Sequence, residues 1–308
     1  MTIEKADKGR KYSLHALILD KNPDIPLDER EFLNLKKAKE CLTHALVLEE
    51  AFDLLLGNYR DLELETLSSA VMHMTSSRHD YEDFFEIRTS INRRLVNLLT
   101  STRMYLDQHP QRLKRIGADP ADAKLVCSKA YDDFFEYRFM EALRNHAQHA
   151  GLAVHGVTLS SSWLPPGERA HLQFSTIPYA SKKVLEEDKT FKKKVLYECP
   201  EKVPLLFAAR TYVGCISTIH KKVRELIEPF VSAARSLFED AISRHSAEAG
   251  ESCSGLAAIA KEDGRINEEI SIFLDWDDVR QKLEKQNRPL IALGHSYVSS
   301  QEKKKDDT

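Results

Sequence analysis

The 308-residue chain predicts a mainly α-helical protein with a β-hairpin, a second long-helix region and a small C-terminal α/β element. Three observations carry that expectation. Apolar residues recur at three- and four-residue spacing over most of the region from about 30 to 152, and again after Pro204. Around Pro165-Pro166-Gly167 the period shortens to two, as in paired strands. Beyond the linker-like stretch SAEAGESCSG, short segments of different period follow one another.

The elements follow in order. Residues 1–30 are polar and rich in turn signals, so they read as an N-terminal arm. From Asp28, EFLNLKKAKECLTHALVLEEAFDLLLGNYRD predicts a helix that Gly57 interrupts, and LETLSSAVMHM a shorter one. DYEDFFEIRTSINRRLVNLLTSTRMYLDQHP predicts a long helix. Its stripe runs through Phe84, Ile87, Ile91, Leu95, Leu98, Thr102 and Tyr105, and Pro110 falls just past its end. After a loop, KLVCSKAYDDFFEYRFMEALRNHAQHAG predicts another helix, with Gly151 as a left-handed C-cap. Two phrases nearly repeat, YEDFFEIR from Tyr81 and YDDFFEYR from Tyr131. Acidic residues near a helix start and aromatics in a core account for both without an internal duplication.

The helical domain thus spans 31–152 and the hairpin 153–181. A charged connector, KKVLEEDKTFKKKVLYECPEK, opens a second helical region over 182–246, with Pro229 kinking or splitting its helix. Over 247–300 a strand (GRINEEISIFLDW), a helix (DDVRQKLEKQN) and a strand (RPLIALGHSYV) form the α/β element, and 301–308 a disordered tail.

Composition narrows the function classes. Hydrophobic residues at 42% and charged ones at 30% exclude disordered and fibrous proteins. Lys+Arg number 45 against 48 Asp+Glu, so a nucleic-acid partner would need a local basic patch rather than a global field. No apolar run is long enough for a membrane span and no secretory h-region opens the chain, so a cytoplasmic protein is expected. The five cysteines are scattered and never form C-x-x-C, which gives no support to a zinc ribbon or a disulfide framework. There is no P-loop and no G-x-G-x-x-G, and the GHS at Gly294 is not a nucleophile elbow. No cofactor is therefore expected.

One stretch carries chemistry: Arg144-Asn145-His146-Ala147-Gln148-His149 at the end of a predicted helix. On a wheel of about 100° per residue, Phe135, Phe139, Ala142, Leu143, Ala147 and Ala150 form the apolar stripe, and His146 falls within it. His149 lies at the stripe's edge beside Asn145, and Arg144 faces away, about 140° from His149. His146 is thus expected to be buried. Arg144 and His149 are expected to line a solvent-reachable cleft, with the helix dipole favouring an imidazolium at the last turn.

An arginine, a polar residue, three variable positions and a histidine near a helix end, after another long antiparallel helix, resemble the motif of the HEPN superfamily. Arg144, Asn145 and His149 stand on the motif positions, and the likeness covers about residues 30–152. It implies a HEPN-like antiparallel helical bundle and a metal-independent endoribonuclease acting as a homodimer. It also implies an RNA substrate, a toxin or anti-phage defence role, and a cognate antitoxin or regulatory partner. Arg144 and His149 would be catalytic, and Asn145 would orient the histidine or the phosphate. Two alternatives stay open. One is a non-catalytic nucleic-acid- or protein-binding module on the same helical surface. The other is a metal-dependent enzyme using His146, His149 and His155. The basic clusters Arg93-Arg94, Lys182-Lys183, Lys192-Lys193-Lys194 and His220-Lys221-Lys222-x-Arg224 matter only if they flank the motif.

Overall fold

The computed structural model describes residues 9–16, 24–76, 80–164, 171–249 and 255–298. The Pro165-Pro166-Gly167 turn, Cys253 and the 301–308 tail lie outside them. The chain is mainly helical, with two small antiparallel sheets. Its elements are β1 (Lys11–Ala16), β2 (Ile25–Leu27), α1 (Glu29–Thr75), α2 (Tyr81–Ile116), α3 (Ala121–Asp133), α4 (Phe135–His149), β3 (Gly156–Trp163) and β4 (Leu172–Ser181). Then come α5 (Lys182–Glu187), α6 (Lys193–Glu198), β5 (Lys202–Pro204), α7 (Leu205–Ala249), β6 (Leu256–Glu262), β7 (Arg265–Ser271) and α8 (Asp275–Gln286). Among the described residues, no helix is long and apolar enough to cross a membrane.

These elements divide into two compact units that are discontinuous in sequence. The first comprises 1–53, 105–123 and 222–288, the second 54–104, 124–221 and 289–308.

In the first unit, the four strands run in the order β2-β1-β6-β7. Residues 11–16, read as part of a polar arm, form β1 and pair antiparallel with 256–261. The physical reason is that β6 is buried throughout Leu256–Ala260 and requires a hydrogen-bonded strand on each side. The ring of Tyr12 meets that of Phe32 at 5.0 Å, bringing α1 against the sheet. Arg224 grips the almost fully buried Glu49 with two hydrogen bonds, 2.8 and 2.5 Å, and donates a third to the Asn287 carbonyl at 2.8 Å. The terminal stretch RPLIALGHSYV is not the strand expected. Ala292 adopts φ 53°, a 3-10 turn follows at Leu293–His295, and α8 remains the last long element.

Three helices outrun their punctuation. A reciprocal capping box starts α1: Asp28 Oδ1 accepts from the Glu31 amide (2.6 Å), and Glu31 Oε2 accepts from the Asp28 amide (2.8 Å). The helix then passes through Gly57 without a break. Glycine costs about 1 kcal/mol there relative to alanine, which buried Leu55, Leu56 and Leu62 outweigh. Pro110 lies inside α2 rather than beyond it, and Pro229 lies inside an undivided α7. An internal proline costs about 3 kcal/mol. Burying one aliphatic side chain returns roughly 1.5–3 kcal/mol, and past Pro110 both Leu113 and Ile116 are buried. The stop for α2 is Gly117 at φ 104°. Its amide and that of Ala118 donate back to Lys114 (3.2 Å) and Leu113 (2.9 Å), the Schellman pattern that needs a left-handed residue.

The second unit contains the sheet β3-β4-β5, with Gly156–Trp163 paired in register against Leu172–Tyr179 as the expected hairpin. Its core includes Ile91, Leu95, Leu98, Phe139, Leu143, Tyr212 and Ile216. Glu63 takes two hydrogen bonds from Arg210 (2.6 and 2.7 Å) and one from the Tyr59 hydroxyl (2.9 Å). The helix expected to hold both YDDFFEYR and the motif is broken at Phe134 into α3 and α4. At the break, Arg138 Nη1 donates to the carbonyls of Tyr131 (2.6 Å) and Asp132 (2.8 Å), satisfying groups at the end of α3, while Nη2 pairs with Glu198 at 2.5 Å. In the twin phrase, Tyr81 simply opens α2 behind the cap Asp80.

Candidate functional site

The motif occupies the last two turns of α4. This helix has a buried face of Tyr137, Phe139, Met140, Ala142, Leu143 and His146. His146 is 4% exposed, as its place in the apolar stripe predicts. Its Nδ1 meets Asp188 Oδ2 at 2.8 Å, and the Asp188 side chain is only 6% exposed. The other carboxylate oxygen, Oδ1, accepts from the Thr190 amide (2.8 Å) and hydroxyl (2.6 Å). The Thr190 hydroxyl first, and then His146, hold the Asp188 carboxyl down to about 2. The His146 ring packs edge-on against His155 (centroids 5.6 Å) and Phe191 (6.3 Å).

The turn after α4 differs from the expected left-handed cap. Ala150 is the C-cap at φ −129°, and the amides of Ala150 and Gly151 both donate to the His146 carbonyl, at 2.8 and 3.1 Å. Glycine is needed at 151 for closeness instead: a Cβ there would lie 3.2 Å from His146 Nε2. Downstream, Asn92 Oδ1 accepts from the amides of Ala153 (3.0 Å) and Val154 (3.1 Å), tying the chain to α2. The amide of Ser181 then donates to His155 Nδ1 at 2.8 Å. In the neutral ring the hydrogen therefore sits on Nε2. Burial, followed by the positive field of His146, pushes the His155 pKa down and favours that neutral form.

The exposed side of the same turns carries the motif residues. Asn145 and His149 are exposed and Arg144 is half-buried. Arg144 Nη1 donates to Asn145 Oδ1 at 3.0 Å, while its Nε is buried without a hydrogen-bond partner. The structure thus brings Arg144 and Asn145 together. Among the described residues no hydrogen bond joins His149 to either, so Asn145 orients the guanidinium and not the imidazole in this state. A single chain supplies a charged fork and, separately, an exposed imidazole one turn on.

The metal-ligand reading of His146, His149 and His155 fails on geometry. No group of three or more His, Cys, Asp or Glu stands placed for a metal among the described residues. His155 Nδ1 already accepts a backbone hydrogen, which leaves Nε2 protonated and unable to ligate.

Two features of the site lay beyond the sequence reading. The charged connector folds into α5 and α6 and packs on α4 through Asp188, Phe191 against Phe139 (6.4 Å), and the Glu198–Arg138 pair. This sets Lys183, Lys189, Lys192, Lys193 and Lys194, all exposed, on a segment bordering the motif helix. The Asp188-x-Thr190 spacing of a side-chain-capped turn was the local signal for Asp188. Other basic clusters are engaged elsewhere: Arg94 lies near Asp61 (3.6 Å) and Glu65 (3.7 Å), Lys222 pairs with Asp122 at 3.1 Å, and Arg224 holds Glu49.

No protein-family model, curated protein or solved structure matches this chain.

Proposed function

We propose that the exposed end of α4 is a metal-independent RNA-cleaving site of HEPN type, completed when two copies of the chain bring their motifs together. The observation that supports it best is the division of labour within one turn. His146 is committed to Asp188 and the core, whereas His149 and the Arg144–Asn145 pair face outward. The exposed lysines of the 182–194 segment supply the local positive field that the balanced overall charge lacks.

RNA brings its own nucleophile, the ribose 2′-OH. His149 accepts its proton as O2′ bonds to phosphorus, and Arg144 holds the phosphoryl oxygens by its planar fork as negative charge develops. The P–O5′ bond breaks, the leaving oxygen takes a proton from the second copy's imidazolium, and a 2′,3′-cyclic phosphate remains. A toxin or defence effector in the cytoplasm, held in check by a cognate antitoxin or other regulatory partner, is the role the HEPN resemblance suggests for such an activity.

The test is incubation of the purified protein with total RNA in EDTA. Cleavage leaving cyclic-phosphate or phosphate ends is expected, with the 2′-OH required. His149→Ala should lower the rate about 10²–10⁴-fold, and Arg144→Lys should be poor because an ammonium lacks the fork. A His149→Ala variant that is folded, dimeric and fully active would end this reading. A wild type that binds RNA and leaves it intact would turn the surface into a binding module.

A further inference from the structure

One imidazole ring away from α4 lies a second place suited to RNA. A cavity of about 170 Å³ is lined by Tyr81, Phe84, Phe85, Arg88, His155 and Tyr179. At roughly 30 Å³ per water, it has room for a planar group of base size. Tyr81 is 82% exposed, a large aromatic held in water at the first turn of α2. The Arg88 guanidinium lies 5.7 Å from the centre of the Phe85 ring, its Nε has no hydrogen-bond partner, and it makes no ion pair among the described residues. His155 adds the edge of its ring to the wall, with Nδ1 taken by the Ser181 amide. Tyr179 adds a phenol, and Lys202 Nζ stands 4.4 Å from the centre of its ring.

The sign of these groups decides the ligand. No carboxylate lines this cavity, and the polar groups that do line it can all donate hydrogen bonds. A larger cavity of about 410 Å³ between α1 and α2 has the opposite character, with Glu65, Asp83 and Glu86 in its wall. An occupant of the smaller one must bring a flat face for the aromatics and an oxygen acceptor for Arg88. Peptide carboxylates offer the second without the first, whereas a base and its flanking phosphate offer both.

We infer that Tyr81, Phe85 and Arg88 form a base-stacking subsite that holds one unpaired nucleotide of an RNA strand, at a cavity whose His155 wall packs on the His146 ring of α4. This rests on the RNA reading of Arg144 and His149 and adds where the strand is held. Tyr81 and Phe85 take the base by stacking, and Arg88 takes the adjoining phosphate. The subsite requires a single strand, since a paired base must first be pulled from its stack.

The experiment is fluorescence anisotropy of the full chain with labelled 2′-O-methyl hexauridylate, which cannot be cut by 2′-OH attack, so binding is read apart from cleavage. Tyr81→Ala should weaken binding about 5- to 100-fold, and Tyr81→Trp should retain it. Arg88→Ala should weaken binding and lower the salt slope by about one. An abasic strand of equal length should bind the wild type about as poorly as the uridylate binds Tyr81→Ala. Equal affinity of Tyr81→Ala and wild type overturns the subsite, as does equal binding of the abasic strand or no binding at all. Competition by hexaglutamate as strong as by unlabelled uridylate overturns it in favour of an acidic peptide. Tyr81-dependent binding without cleavage of natural RNA would defeat only the nuclease reading. Cleavage with Tyr81→Ala indistinguishable from wild type in binding would defeat only the subsite.

Discussion

The last two turns of α4 present two faces made from neighbouring residues and put to opposite uses. On the inner face His146 is locked: Asp188 takes its Nδ1, His155 and Phe191 cover its ring, and Gly151 closes over Nε2. On the outer face His149 is exposed, and half-buried Arg144 donates to its neighbour Asn145. Both histidines belong to the same six-residue string. The difference teaches that one helical period sends two histidines three residues apart into opposite environments. Buried to this degree, with its far nitrogen against a glycine, the His146–Asp188 pair is closed to solvent, whereas Asn145 and His149 are exposed.

That contrast is open to test by stability measurements, in descending order of expected effect. His146→Ala removes a buried ring and strips one partner from a buried carboxylate. It should cost about 3 kcal/mol in chemical denaturation, and a loss below about 1 kcal/mol would refute the locked role. Next comes Gly151→Ala. Its new methyl must displace a ring that Asp188 holds in place, at a cost of about 1 kcal/mol. In the His146→Ala background that penalty should vanish, and persistence of the full cost would mean the contact is not with the ring.

Acid should act on the inner face. Because the Asp188 carboxyl is held to about 2 in the folded protein, against about 3.9 unfolded, its contribution is complete above pH 4 and is lost as pH falls from there towards 2. His155 acts earlier with the same sign. Its folded pKa is depressed, so the unfolded chain takes up the proton first, and stability declines as pH drops below about 6.5. Melting curves of wild type and His155→Gln should diverge most near neutrality and converge in acid. Parallel curves would remove His155 from the account. The smallest effect belongs to His149→Ala. Stability should change by no more than about 0.5 kcal/mol, and a larger loss would mean that the outer face is also structural.

The buried position of His146 was legible from the wheel, because a 3.6-residue period assigns faces without knowledge of what covers them. Its partner was not. Asp188 lies 42 residues along the chain, inside a run of charges whose composition suits a solvated connector equally well. The helices were legible by their stripes, but their ends were not. Gly57, Pro110 and Pro229 each impose a local cost that buried neighbours override, and such neighbours count only once tertiary packing is known. The break at Phe134 was hidden for a related reason: its free carbonyls are taken by Arg138, a side chain that reads as an ordinary helical charge. The N-terminal strand was the least legible element. KYSLHA is short and polar on alternate positions, and only the presence of a buried β6 gives it somewhere to pair.

That pairing sets a timetable for synthesis. Lys11 waits for Lys261, its partner across the ladder, and at about 5–20 residues per second the interval is roughly 12–50 seconds. Throughout it, KYSLHA has no β6 to join, while β3 and β4 can pair as soon as both strands are made. The first unit therefore cannot close its sheet until β6 has been made, and a chain stopped short of β6 would carry an open strand edge of the kind that seeks other chains.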